Sequence, residues 1–308
     1  MNKGTAAAIG LALGYGADRR FGDPRRFHPV AGFGTAATAL ERRVYRDARA
    51  AGIVYTGALV GSAVAVGIVL RRGGIAAVAI STWAVLGGTS LVRVGNAMAD
   101  ALEADDLGRA RELLPSLCGR DPEVLDSAGL ARAALESIAE NTSDATFAPL
   151  FWGAVAGAPG LLGYRAVNTL DAMVGYRNER YRQFGWASAR LDDVANWIPA
   201  RLTGVLTILS APVVAGSPSA AAKAWRADAG AHPSPNAGVV EAATAGALGV
   251  TLGGPTRYRH GLELRPMLGS GPAPTAADLR RAVRLSAIVQ FGSIAVAFAM
   301  CAVRARRR

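Results

Sequence analysis

Three carboxylates, Glu136, Glu140 and Asp144, recur at four-residue intervals. On a regular helix each is turned by only about 40° from the last, so all three share one face. A solvated acidic face is the plain reading of such a stripe. This one, however, runs directly into an apolar segment with no cation at the neighbouring i+4 positions, as expected where Mg2+ supplies the compensating charge. Asn141, beside them, adds an oxygen ligand or an amide donor.

The stretch Tyr164 to Thr203 is the richest in reactive side chains. It sets Arg165, Arg177, Arg180, Arg182, Arg190 and Arg201 among Asn168, Asp171, Asp192, Asp193 and Asn196, interleaved with Tyr176, Tyr181, Phe184, Trp186 and Trp197. Guanidinium forks bind phosphate oxygens bidentately, and paired aspartates hold Mg2+ that bridges phosphates, so the pattern is compatible with phosphoryl chemistry. A structural ion-pair network at a membrane surface has the same composition, with some arginines anchoring to lipid headgroups. The loop Gly22-Asp-Pro-Arg-Arg-Phe-His-Pro places Asp23 and His28 in a proline-constrained turn, and Ser234-Pro-Asn236-Ala-Gly238 forms a second rigid turn ahead of Glu241. With three histidines no zinc set is available. No Walker A or Gly-x-Gly-x-x-Gly motif is present, which excludes an ordinary P-loop or Rossmann nucleotide site at motif level.

The elements that must position these groups are helical and largely apolar. The 308 residues carry 34 Lys and Arg against 23 Asp and Glu, a net charge of +11, yet 51% are hydrophobic and only 19% charged. The charge is clustered: residues 50–70, 73–92, 145–164, 202–222 and 285–303 are uncharged, and a helix needs about 20 such residues to cross a bilayer core. The expected fold is therefore all-α, one polytopic membrane-embedded domain over residues 1–308. Its secure spans are 50–70 and 73–92, a helical hairpin about Arg71-Arg72, and 285–303. Residues 145–164 and 202–222 each contain two prolines and suit either spans or re-entrant segments. If both cross, the 165–201 segment lies outside; if neither does, the Arg-rich tail does. Residues 4–17 form a short apolar segment, read as retained because Asp18-Arg-Arg follows instead of a cleavage site. The polar segments 93–144, 165–201 and 223–284 carry the site. The first is helical over 102–114 and 122–140, the last contains Gly-rich loops at 246–255 and 270–274, and no useful strand alternation is found. Cys118 and Cys301 are read as plain thiols.

At these residues the chain resembles the CobD/CbiB family of cobalamin biosynthesis, the adenosylcobinamide-phosphate synthases, over nearly its whole length. The resemblance rests on Gly22-Asp-Pro with His28-Pro29-Val30, on Glu136 through Glu140-Asn141 to Asp144 with Ala148-Pro-Leu-Phe151, on the Tyr164 to Thr203 block, and on Ser234-Pro-Asn-Ala-Gly238 with Glu241. Two departures, Ala145 where the family often has Gly and Val240 where it has Pro, concern backbone shape. The resemblance implies a multi-pass protein of the cell membrane. Its implied reaction joins the carboxylate of adenosylcobyric acid to the amine of aminopropanol phosphate or a related amino alcohol, with ATP and Mg2+. It carries over positions, and the roles are assigned on chemistry. Glu140, Asp144, Asp192 and Asp193 are expected to hold Mg2+, and Arg165, Arg180 and Arg190 to grip phosphates. Asp23 or His28 is expected to act on the amine proton. Asn141, Asn168, Asp171, Tyr176, Tyr181, Asn196, Arg201, Ser234, Asn236 and Glu241 complete the expected binding set. Trp186 and Trp197 suit either the corrin ring or the membrane interface. His28, His232 and His260 are not expected to ligate cobalt. Other late cobalamin-assembly enzymes or a second copy are the expected protein partners.

The competing class is a non-enzymatic membrane sensor or assembly factor of the AmpE type, which the dense 168–201 block disfavours. A transporter would place paired ionisable residues inside its spans. Nucleic acid is not expected as a partner, because the charge follows the membrane pattern.

Overall fold

The structure is a computed structural model that describes residues 3–23, 28–258 and 261–306. The centre of the Gly22 to Pro29 loop (24–27), His260 and the last two arginines lie outside the described residues. Thirteen helices and one strand pair are described: α1 Lys3–Phe21, α2 Pro29–Val44, α3 Arg49–Leu70, α4 Gly74–Val85, α5 Gly88–Glu103, α6 Leu107–Leu113, α7 Ser127–Thr142, α8 Ala148–Ala156, α9 Ala158–Val174, α10 Trp186–Ser210, α11 Pro218–Asp228, α12 Ala237–Leu248, β1 Leu252–Tyr258, β2 Gly261–Leu268 and α13 Ala276–Arg306. The stretches Arg49–Glu103, Trp186–Val214 and Ala276–Arg306 are long and apolar enough to cross a membrane. The all-α membrane fold read from composition is thus present.

The chain divides into two compact units, neither continuous in sequence. The first comprises Met1–Gly87, Asp144–Trp197 and Ser293–Arg308; the second comprises Gly88–Ser143 and Ile198–Gly292. In the first, α1 packs on α4 and α3 on α9. Leu11, Val85, Leu86, Leu150 and Leu161 form one core, and Tyr55, Leu170, Val174 and Phe184 form another. Small residues let these helices close up. A Cβ on Gly52 would lie 1.8 Å from the Phe184 carbonyl oxygen, and one on Gly185 would lie 1.7 Å from that of Val174. Glycine at both positions therefore lets the 175–185 loop dock on α3 and α9. In the second unit, Met98, Leu114, Leu130, Leu135, Leu252 and Leu279 belong to a single larger core.

Hydropathy misplaced several boundaries. The span expected at 73–92 is interrupted at Leu86 and Gly87, between α4 and α5. The 145–164 run is two helices meeting at Gly157, whose φ of 69° stops α8 while Pro159 starts α9. The 202–222 run begins at Trp186 instead, because α10 continues through Pro199. Proline there leaves the carbonyl four residues earlier, Ala195, without its helical donor, and the indole Nε1–H of Trp152 donates to that carbonyl at 3.0 Å. Replacing Trp152 with Phe keeps most of the packing and removes the donor. The expected result is a loss of about 1–3 kcal/mol, read from chemical denaturation in detergent. The Gly-rich loop expected at 246–255 is in part a β-hairpin, β1 against β2, with a bulge between Leu252 and Gly254.

Candidate active site

Three elements of the first unit converge on one polar network. Tyr164 and Asn168 stand on successive turns of α9, as do Asp192 and Asn196 on α10, so each pair shares a helix face. Asp144 sits in a five-residue π turn, Ser143–Phe147, between α7 and α8; such widened turns interrupt a regular helix and recur at functional sites. Asn168 Nδ2 donates to Asp144 Oδ2 at 3.1 Å. The Tyr164 hydroxyl donates to Asn196 Oδ1 at 2.8 Å and lies 3.4 Å from the Asp144 carbonyl oxygen. Asn196 Nδ2 in turn donates to Asp192 Oδ2 at 3.0 Å. Amides and a phenol thus orient two aspartates. Arg165 lies in the field of Asp23 and Asp144. Its Nε and Asp23 Oδ1 are buried without a hydrogen-bond partner among the described residues.

Among the described residues no three His, Cys, Asp or Glu side chains assemble a ready-made metal cage. Mg2+ is ordinarily bound through one or two carboxylates, water and substrate phosphates. The hard oxygen atoms of Asp144 and Asp192, held in fixed orientation, fit that mode. Asp193 is placed elsewhere. Glu136 and Glu140 stand on α7, and the π turn that carries Asp144 follows it directly. Asp193, one residue and about 100° round from Asp192, faces Arg190 at 3.5 Å.

The second unit holds a separate acidic group. Arg120 Nη2 donates to Glu136 Oε2, both residues at least nine-tenths buried, and Gly253 N donates to Glu136 Oε1 at 2.7 Å. Glu241 on α12 is buried and lies in the field of Glu136, Glu140, Arg265 and Arg120. Burial is the largest cause raising the Glu140 carboxyl above its ordinary value, although this side chain keeps surface open to solvent. Burial raises Glu241 well above its ordinary value, and the neighbouring Glu136 and Glu140 raise it further. His232 is pushed down, mainly by burial.

These directions have opposite consequences for stability. Folded Glu241 holds its proton to higher pH than the unfolded chain does. Its contribution is therefore full below about 4.5 and is lost as pH rises through its folded value. His232 contributes fully above about 6.5 and loses stability as pH falls below that. Glu241→Gln copies the protonated form and leaves His232 in place. The melting temperature of Glu241→Gln minus that of the wild type is expected to increase from pH 5 to pH 8, by about 2–4 °C for each kcal/mol of relieved charging cost. Thermal melts of both proteins across that range provide the check.

The remaining predicted residues occupy defined places. Arg180 donates to Glu41 at 2.8 Å and stacks over Tyr45, and Tyr181 OH donates to the same Glu41 oxygen at 3.0 Å. This group pins the 175–185 loop to α2. His28 caps α2, its Nδ1 accepting from Val30 N at 3.2 Å. Asn141 bonds back to Ser137 of its own helix. Asp171 lies against Gly175, and Tyr176 is exposed. Arg49 stacks over Trp186, while Trp197 is exposed. Arg201 donates to Asn236 Oδ1 at 3.2 Å, and Ser234 Oγ accepts from Ala237 N at 3.2 Å, so the Ser-Pro-Asn turn is fastened at the start of α12. Sequence reasoning assigned no site role to Tyr164, Arg120 or Arg265, and weighed His232 only as a cobalt ligand. The signal for Tyr164 was its place at the exact end of an apolar run, four residues before Asn168.

The model of the CobD/Cbib protein family matches residues 11–286. The chain is 59% identical over 295 residues to a cobalamin biosynthesis protein CobD of Mycobacterium tuberculosis, with 94% of each chain covered. It is 45% identical to one of Chromobacterium violaceum, with 92% of each covered, and 43% identical to one of Rhodobacter capsulatus, with 91% of this chain and 90% of the other covered. No solved structure matches it. With a family match over most of its length and relatives this similar, the chain belongs to the CobD/Cbib family.

Proposed function

We propose that this chain acts in cobalamin biosynthesis as a multi-pass ligase of the cell membrane, joining adenosylcobyric acid to (R)-1-amino-2-propanol O-2-phosphate, or a related amino alcohol, at the expense of ATP. The observation that carries the reading is the hydrogen-bonded chain linking Asn168 to Asp144 and Tyr164 through Asn196 to Asp192, with Arg165 in the field of Asp144.

A carboxylate oxygen is a poor leaving group, so amide formation needs activation. In the proposed reaction a substrate carboxylate oxygen attacks the γ-phosphorus of ATP, ADP departs, and an acyl phosphate results. The free amine then attacks the acyl carbon, inorganic phosphate leaves with the former carboxylate oxygen, and the nitrogen loses a proton. Asp144 and Asp192 would hold Mg2+, which when bound neutralises phosphate charge. Asn168 and Asn196 fix the orientation of these carboxylates. Arg165, with its unpartnered Nε, is suited to a phosphate oxygen. Asp23, whose buried Oδ1 has no hydrogen-bond partner among the described residues, is suited to accept the amine proton. His28 is the other candidate for that proton, although its Nδ1 is engaged as a helix cap.

The test uses purified protein in detergent with ATP, Mg2+, adenosylcobyric acid and aminopropanol phosphate, following ADP and the corrinoid mass. One ADP is expected per product heavier by the amine less one water. Folded protein that binds the corrinoid without turnover would contradict the proposal.

A further inference from the structure

One end of the first unit collects guanidiniums that no carboxylate answers. The apolar run of α3 stops at Leu70 and that of α13 at Val303, and arginine follows each at once. Both arginines reach the end of α8. Arg304 Nη1 donates to the carbonyl of Ala154 at 3.1 Å and to that of Val155, and Arg71 Nη2 donates to that of Ala156 at 3.3 Å. These last-turn carbonyls lack a helical donor and carry partial negative charge. Gly67 lets α3 come this close: a Cβ there would lie 2.5 Å from Pro159 Cα, at the corner where α8 gives way to α9.

Capping uses only part of the donor capacity. A guanidinium has five N–H groups, of which Arg304 spends those of Nη1 and Arg71 spends one of Nη2. Arg72 and Arg306, both exposed, lie one and two residues further along the chain. Among the described residues none of these four arginines forms an ion pair. Arg180 and Arg190 of the same unit, by contrast, each face a carboxylate.

The surface beside the patch selects the kind of anion. Ile68, Val69 and Leu70 of α3, Val155 of α8 and Val303 of α13 are all exposed. The 22 residues of α3, at about 1.5 Å each, match a bilayer core of about 30 Å. A soluble anion would answer the guanidiniums alone, whereas an anion carrying acyl chains answers both surfaces.

We propose that Arg71, Arg72, Arg304 and Arg306 bind the phosphodiester headgroup of an anionic phospholipid, with its acyl chains along the exposed apolar faces of α3 and α13. Guanidinium forks take phosphate oxygens bidentately. A zwitterionic lipid fits less well, because its own ammonium is repelled by four cations. The site belongs to membrane attachment and stands whether or not the ligase reading holds.

Native mass spectrometry of the full chain in detergent, with phosphatidylglycerol or phosphatidylcholine of identical chains, tests the site. Phosphatidylglycerol is expected to bind at least about 10-fold more tightly, since each arginine near the surface adds severalfold. Arg71→Gln with Arg304→Gln is expected to remove most of that preference. Arg72→Gln with Arg306→Gln, which breaks no hydrogen bond among the described residues, is expected to reduce it by at least about 3-fold. Equimolar glycerol phosphate, which has the anion without the chains, is expected not to displace the lipid. Equal binding of the two lipids, displacement by equimolar glycerol phosphate, or an undiminished preference in the folded Arg72→Gln, Arg306→Gln protein would each overturn the proposal. The second pair leaves the α8 carbonyls capped, so the test stands even if the first pair does not fold.

Discussion

Asp144→Asn is expected to lower kcat for amide formation by at least about 100-fold while leaving the melting temperature nearly unchanged. The carboxylate accepts a hydrogen bond from Asn168 Nδ2 at 3.1 Å. An asparagine carbonyl can accept the same bond, so the structural loss is no more than about 1 kcal/mol. On the proposed reading, what disappears is a negative charge for the cation that would neutralise transferring phosphate, and removal of one preorganised electrostatic group costs about 100- to 1,000-fold in rate. The Mg2+ concentration for half-maximal activity is expected to rise as well. Asp192→Asn should behave alike, whereas Asp193→Asn, which weakens the partially exposed contact with Arg190, should change turnover little. Steady-state kinetics at several Mg2+ concentrations, with melts of each variant, separates these outcomes. A rate loss accompanied by an equal loss of folded protein would refute the assignment of Asp144.

The second large effect concerns stability. Arg120→Met is expected to destabilise the protein by about 3–5 kcal/mol, because it strands Glu136 in a buried site. Glu136 would keep its bond from Gly253 N but lose its closest cation, in the presence of two more carboxylates. The double variant Arg120→Met with Glu136→Gln removes the stranded charge and is expected to recover at least half of the loss. Denaturation of the single and double variants closes a double-mutant cycle. A single-variant loss below about 1 kcal/mol would mean that the pair does not carry the cluster.

Much of the architecture was legible because apolar length is a direct consequence of bilayer thickness or core burial. Residues 50–70 coincide with α3 to within one residue. The misplaced starts have local causes that hydropathy cannot register. α13 begins nine residues before the apolar run because Arg280 meets Glu103 and Asp100, and Arg281 donates to the carbonyls of Val214 and Leu248. A charged first turn thereby becomes helix. α10 passes Pro199 because an indole 43 residues away in sequence serves the freed carbonyl. The β-hairpin was hidden by Gly253 and Gly254, both at positive φ, and by Pro255, which break any alternation.

The site was legible in its residue types more than in its grouping. Asp144, Asn168, Asp192 and Asn196 were all picked out, and the structure gathers them. The π turn that carries Asp144 cannot be read from four-residue spacing. Composition could not foresee that Arg120, sixteen residues before Glu136, would be the cation answering it. Nor could it separate arginines that fasten loops, such as Arg180 and Arg201, from Arg165, which lies in the field of Asp23 and Asp144.

The most direct test of activation through an acyl phosphate follows an oxygen atom. Adenosylcobyric acid labelled with 18O in the reacting carboxylate is turned over with ATP and the amino alcohol phosphate, and the inorganic phosphate is analysed by mass. The account predicts one 18O atom in each phosphate derived from a fully labelled carboxylate, with ADP formed in equal amount. Amide product accompanied by unlabelled phosphate would contradict it.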